Sequence, residues 1–280
     1  MVQGAALCLA SLTLALAGTT IPIAGVFFAL LTPLPLVLLS VRHGRATALL
    51  GMLAVGAALA VLLGRGYVWI FYLEFGLPAL VLAEAIRREW APETSVAAGS
   101  LAIIGGSLLG LFILSRGGGG VTAYLLGQLD LALQEAMALY SKIGFAPEEP
   151  GALLAAAQQL QKFLLATSPG LFIAVALLIT SANYFLARTG LARISTNPGS
   201  DPGFAWKMPD ALVWVFIASA ALFLSGLPIV KQIGLNGLVV TMTLYFLQGL
   251  AIAAFWIRRL KLPAFVRILG VVLLLLQPFL

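Results

Sequence analysis

Charge is scarce in this sequence: 16 Lys/Arg and 10 Asp/Glu make up 9% of its 280 residues. A soluble domain is about a quarter charged, so this chain cannot cover a water-exposed surface, and the bilayer becomes the relevant solvent. Cysteine occurs once, at Cys8, which excludes an intrachain disulfide and a Cys-based metal site. Histidine also occurs once, at His43. No zinc cluster or facial triad can be built from it, and any Ser–His pair would depend on that single base. The three aspartates, Asp130, Asp201 and Asp210, all fall outside or at the edge of the apolar runs, so an intramembrane aspartyl dyad is not available. Neither a P-loop nor a dinucleotide-binding glycine motif is present. These absences lead us to expect a non-enzyme that needs no cofactor, with any energy from ATP supplied by a partner chain. The basic residues stand in ones and twos between apolar runs and form no stripe, so nucleic acid is not an expected partner.

What the chain has in abundance is apolar sequence, 61% by residue with a mean hydropathy of +1.08. Runs long enough to cross about 30 Å of hydrocarbon at 1.5 Å per residue give nine expected spans: 2–19, 22–41, 46–64, 67–86, 95–115, 169–187, 210–230, 236–257 and 262–280. The first lacks a basic flank and leads almost directly into the second, so we read it as a retained span and not a signal peptide. Pro22, Pro33 and Pro35 make the boundary between these two the one most open to a break or a re-entrant turn. With the N-terminus in the cytoplasm, Arg42, Arg45, Arg87, Arg88, Arg188, Arg193, Lys207, Arg258, Arg259, Lys261 and Arg267 fall inside. Arg65, Arg116, Lys142, Lys162 and Lys231 fall outside, and this bias is the one the positive-inside rule asks for. The fold class expected is an all-α polytopic transmembrane helix bundle of eight to nine spans in a bacterial inner membrane.

Residues 116–168 are the one sizeable non-membrane region, and they divide the chain into a first membrane half (1–115), an external hairpin (116–168) and a second membrane half (169–280). Arg116 and four glycines open the region as a flexible hinge. Leu126, Leu129, Leu133, Ala136, Met137 and Tyr140 then recur at helical spacing, and Leu153, Ala157, Leu160 and Leu164 do so after Pro147-Glu148-Glu149-Pro150. Both segments read as amphipathic helices, either resting on the outer leaflet or bundle, or forming a movable lid over an outward-facing cavity.

Few polar groups lie at bilayer depth. Glu74 is seven residues from the outer end of its span, about 10 Å in. An ionised carboxylate there costs several kcal/mol unless paired or hydrated. It reads either as a substrate, cation or proton contact, or as a protonated acid hydrogen-bonded to a neighbouring helix. Gly76 and Pro78 follow, and in an α-helix the amide that Pro78 lacks would have bonded the Glu74 carbonyl, leaving that carbonyl free for a ligand or simply kinking the helix. Tyr72, Tyr245, Gln248 and Asn183 complete the candidate ligand contacts, with interfacial aromatics and interhelical hydrogen bonds as the plainer readings. Trp69 is a further candidate for the pocket lining. Glu84 is spaced to pair with Arg87 and Arg88. Small residues four apart, at Ala6/Ala10, Gly51/Val55, Ala54/Ala58 and Gly56/Ala60, allow close helix packing within the chain or against another subunit.

Taken in order, Glu74-Phe75-Gly76-Leu77-Pro78, Asn183-Tyr184, Phe204 to Pro209, and Asn236 to Gln248-Gly249 followed by Leu262-Pro263 resemble the YybS-like family of bacterial membrane proteins. The resemblance implies similarity in membrane architecture to the substrate-binding S components of energy-coupling factor transporters. Those are small bundles that hold a ligand near the outer face and dock on an ATPase-driven coupling subunit. This chain differs in having about nine spans and the external hairpin. The function expected is a transporter-like or substrate-capture subunit, binding a small or amphipathic ligand in an outward-facing pocket. The alternative is a non-catalytic envelope scaffold or lipid-handling protein. The expected partners are membrane lipids, a small-molecule or lipid ligand, and a membrane coupling subunit or a second copy.

Overall fold

The computed structural model describes residues 2–21, 24–115, 120–142, 150–192 and 208–259, all helix and connecting turn with no strand among them. The chain runs α1 (Val2–Thr20), α2 (Gly25–Leu31), α3 (Pro33–His43), α4 (Arg45–Leu63) and α5 (Arg65–Ile70). A π-helical turn (Phe71–Gly76) joins α5 directly to α6 (Leu77–Arg87). After it come α7 (Pro92–Ser115), α8 (Gly120–Lys142), α9 (Pro150–Ala192), α10 (Leu212–Phe223) and α11 (Pro228–Arg259). Among the described residues, seven stretches are long and apolar enough to cross a membrane: Val2–Thr20, Gly25–His43, Arg45–Leu63, Arg65–Arg87, Pro92–Ile113, Gln158–Ala192 and Pro228–Trp256. Each contains or largely overlaps one of the expected spans. The expected ninth span, 262–280, lies outside the described residues, as do Arg116 to Gly119 of the glycine run and the Pro147 to Glu149 turn.

The expected span at 210–230 takes a different form. Its helix, α10, has only 12 residues and stops at Phe223, about 18 Å of rise. Leu224 to Leu227 turn the chain, and Pro228 opens α11 at a position where a missing amide costs nothing. The stretch expected to be a loop, 231–235, is the first part of that 32-residue helix. α10 lies close along α11 because Gly234 and Gly237 have no side chain. A Cβ at Gly234 would stand 2.2 Å from the Phe223 amide nitrogen, and one at Gly237 2.4 Å from the Ser219 hydroxyl.

Pro33 and Pro35 shape the second span without dividing it, and Pro22 lies outside the described residues. Pro33 has no amide for the Ala29 carbonyl, and the Thr32 amide takes that acceptor instead at 3.1 Å, so α2 and α3 follow one another through a single tight turn. The buried Ser11 of α1 donates to the Thr32 carbonyl at 3.2 Å, which ties this turn to the first helix. Gly51 of α4 packs on Leu39 of α3 and on Cys8 of α1, so one of the small-residue positions serves packing within the chain.

At the core, Leu36, Val37, Leu59, Phe71, Leu82, Ala83, Val96 and Tyr184 are almost fully buried, and they come from α3, α4, the π turn, α6, α7 and α9. The outer faces carry Leu50, Val61, Leu101, Trp214 and Ile229 exposed, as spans surrounded by lipid require. One end of the bundle collects charge. Arg45 at the start of α4 and Arg87 and Arg88 at the end of α6 all pair with Glu84, the Arg87 contact at 3.2 Å and the Arg88 contact at 2.6 Å. Arg87 also donates to Ser40 of α3 at 3.3 Å. The ends of three successive spans therefore share one membrane face.

Candidate functional site

Glu74 sits inside the π turn, nine residues after Arg65 and thirteen before Arg87, so it is near the middle of a continuous helix spanning residues 65–87. The origin of the turn is legible in the hydrogen bonds. The Leu77 amide donates to the Tyr72 carbonyl, five residues back, and the next amide in that register would be residue 78, which is proline. With the Leu77 amide turned to Tyr72, the Leu73 carbonyl loses its usual α-helical donor, and Pro78 has no amide to offer either Leu73 or Glu74. π turns of this kind recur at functional sites because they displace a side chain from the regular helical face.

Two neighbouring helices hold the turn. On one side, Tyr72 and Gly76 face α4. The Tyr72 hydroxyl fills the space a side chain at Gly56 would occupy, and Gly76 accepts the methyl end of Met52. On the other side, Leu73 and Glu74 face α7. The Leu73 carbonyl oxygen lies 2.4 Å from where a Cβ on Gly106 would stand. In the next residue pair, the Ser107 hydroxyl donates to the Glu74 carboxylate at 3.3 Å. Glu74 and Ser107 are both partly buried, and no Lys or Arg pairs with Glu74 among the described residues. Tyr67, two turns earlier on the same face of the helix, lies within electrostatic reach of the carboxylate. Gly76 and Pro78 are buried: Gly76 admits the Met52 methyl, and Pro78 brings no amide to the turn.

The remaining candidates lie elsewhere. Tyr245 is on α11 with its ring edge-on to Phe216 of α10, centroids 6.1 Å apart, and Gln248 is one turn further along α11 and partly buried. Since α11 packs chiefly on α9 and α10, these two belong to a different neighbourhood from Tyr72 and Glu74. Asn183, fully buried on α9, donates to the Leu30 carbonyl of α2 and to the Ile179 carbonyl of its own helix, both at 2.7 Å. It is an interhelical tie to the proline-interrupted second span. Trp69 is exposed.

Ser107 and Gly106 had not stood out in the sequence, because Ser and Gly are common in apolar helices and only the packing of α7 on the π turn selects these two. Glu84, by contrast, carries the expected pairs with Arg87 and Arg88 and adds a third with Arg45. Among the described residues, no three His, Cys, Asp or Glu side chains come together as metal ligands. What the Glu74 site offers chemically is a carboxylate with one hydroxyl neighbour, a carbonyl lacking its helical donor close by, and the Tyr67 hydroxyl two turns away. Those groups can accept hydrogen bonds from, or pair with, a donor-bearing or cationic species.

No curated protein and no solved structure matches the chain. A family model described as "Predicted membrane protein (DUF2232)" matches residues 9–280. With seven apolar helices of spanning length among the described residues and a match over nearly its whole length, the chain is a multi-pass membrane protein and belongs to that family.

Proposed function

We propose that the protein is a transporter-like, substrate-capture subunit of the bacterial cytoplasmic membrane. It has no ATPase of its own and binds a small or amphipathic ligand through Glu74. The observation that carries this reading is the mid-helix carboxylate with a single hydroxyl donor, Ser107, and no basic partner among the described residues. Such a group at bilayer depth is costly unless a neighbouring group, water or ligand compensates it, and a π turn next to a proline is a common setting for ligand contacts. The resemblance to the YybS-like family and, through it, to transporter S components supports the same class. Ser107 joins Glu74 as the contact nearest the ligand, with Tyr72 bracing the turn against α4 and Gly76 and Pro78 shaping it. The basic ends gathered at Glu84 mark the cytoplasmic face under the positive-inside rule, which turns the Arg65 end of the site outward.

The alternative, a non-catalytic scaffold or lipid-handling protein, draws support from α4. Leu50, Leu53, Ala54, Ala57 and Val61 are exposed there beside the inward-facing Gly51 and Gly56, leaving an unused small-and-apolar face for lipid or another subunit. Native mass spectrometry of the purified protein separates the two readings. The capture reading expects a bound small molecule that is lost from Glu74→Ala and retained by a Leu53→Ala control. A wild-type spectrum showing only the bare chain or annular lipid would favour the scaffold.

A further inference from the structure

Pro169 lies within the 43-residue helix α9, where a proline removes one ladder bond and disturbs the next. The Leu165 carbonyl, which a residue with an amide at 169 would have served, accepts from the Ser168 hydroxyl at 2.9 Å. One step on, the Gly170 amide donates to the Asn236 side-chain oxygen of α11 at 2.6 Å. The Ala166 carbonyl, its normal acceptor, receives the Asn236 side-chain nitrogen at 2.8 Å and that of Gln232 at 3.2 Å. The second hydrogen on the Asn236 nitrogen goes to the Gln232 carbonyl at 2.8 Å. The Asn236 amide thus bonds both the donor and the acceptor of the helical pair next to Pro169. Gly170 makes this approach possible, because a Cβ there would stand 2.8 Å from the Asn236 side-chain oxygen and 2.9 Å from its Cα.

We infer that Asn236 is a latch: its side chain acts as a surrogate peptide group that carries α9 across Pro169 and sets the angle of the segment before the proline from α11. That segment, Pro150 to Ser168, is linked to α8 by a hydrogen bond from Gln161 to Asp130 at 2.9 Å. Released from Asn236, it is a movable arm hinged at Pro169. A helix ladder opened by proline bends where a side chain or water replaces the lost bonds, and a carboxamide presents the donor and acceptor that a peptide group presents. Gln232 contributes a second donor to the same carbonyl, while the acceptor for Gly170 comes from Asn236.

The test is a distance measurement along α9. Spin labels are placed at the exposed positions Gln159→Cys and Leu186→Cys in a Cys8→Ala background, about 40 Å apart at 1.5 Å per residue, and read by pulsed electron paramagnetic resonance in lipid nanodiscs. The latch predicts one narrow distance for the otherwise native chain and a broadened or shifted distribution for Asn236→Leu. Asn236→Asp, which keeps the acceptor for Gly170 and loses the donor to Ala166, should lie between them. Adding Pro169→Ala to Asn236→Leu restores the backbone amide and should return the narrow distance. A distribution in Asn236→Leu as narrow as in the native chain would overturn the inference. So would a double variant that stays broad, or one that remains unfolded where Asn236→Leu alone does not fold.

Discussion

At Gly106 a single hydrogen decides whether α7 can lie against the π turn. A methyl group there meets the Leu73 carbonyl, which is backbone and cannot swing aside. Gly106→Ala should therefore lower stability by about 1–3 kcal/mol, the range for overpacking a tight contact, read as a drop in thermal midpoint in detergent. Gly105→Ala, where a Cβ meets nothing within 4 Å, should leave the midpoint unchanged or raise it, since Ala is the better helix former. At Glu84 the substitution Glu84→Gln removes the charge shared by Arg45, Arg87 and Arg88. The midpoint should fall modestly, and the difference from the native chain should shrink as salt is raised, because exposed pairs are screened. Of the residues in the Glu74 site, the carboxylate was legible in the sequence, for few ionisable groups occur inside an apolar run. Ser107 was not legible, because its role depends on which turn of α7 faces the π segment, and periodicity does not specify the neighbour of a uniformly apolar helix.

Element by element, most spans follow from apolar length alone, and the departures occur at prolines. Pro169 was expected to stand at the start of a span, but α9 runs through it because Ser168 and Asn236 supply the missing partners. Pro228 starts a helix earlier than apolar length suggests, since hydropathy does not distinguish a polar loop from a polar first turn containing Lys231 and Gln232. The Glu74 helix departs in register and not in extent: the shift to i, i+5 bonding is a consequence of Pro78 and the close approach of α4 and α7. Asn183 shows a side chain whose plainer sequence reading, an interhelical hydrogen bond, is the one its geometry displays. Asn183→Leu keeps the volume and removes the bond to the Leu30 carbonyl. It should cost about 1–2 kcal/mol, the scale of a polar tie between membrane helices, with increased amide hydrogen exchange concentrated in α2 and the following turn as the local signature.

For the molecule as a whole, the alternation of spans brings the ends of α3 and α6 and the start of α4 to one membrane face, and the Glu84 cluster shows that these ends meet. Assigning that face to the cytoplasm predicts which cysteines an impermeant reagent reaches. In a Cys8→Ala background in intact cells, Arg65→Cys should be labelled from outside, and Glu89→Cys only after the membrane is permeabilised. The reverse pattern would invert the topology and move the Glu74 site toward the cytoplasm. The central claim is that Glu74 faces a site reached by water and ligand, and not the lipid. It is tested most directly by the reactivity of Glu74→Cys toward a small charged thiol reagent in purified protein reconstituted in nanodiscs, compared with Leu53→Cys, an exposed mid-span position on α4. Labelling of Glu74→Cys with Leu53→Cys unreactive is the result predicted, and a Glu74→Cys variant as inert as Leu53→Cys would contradict it.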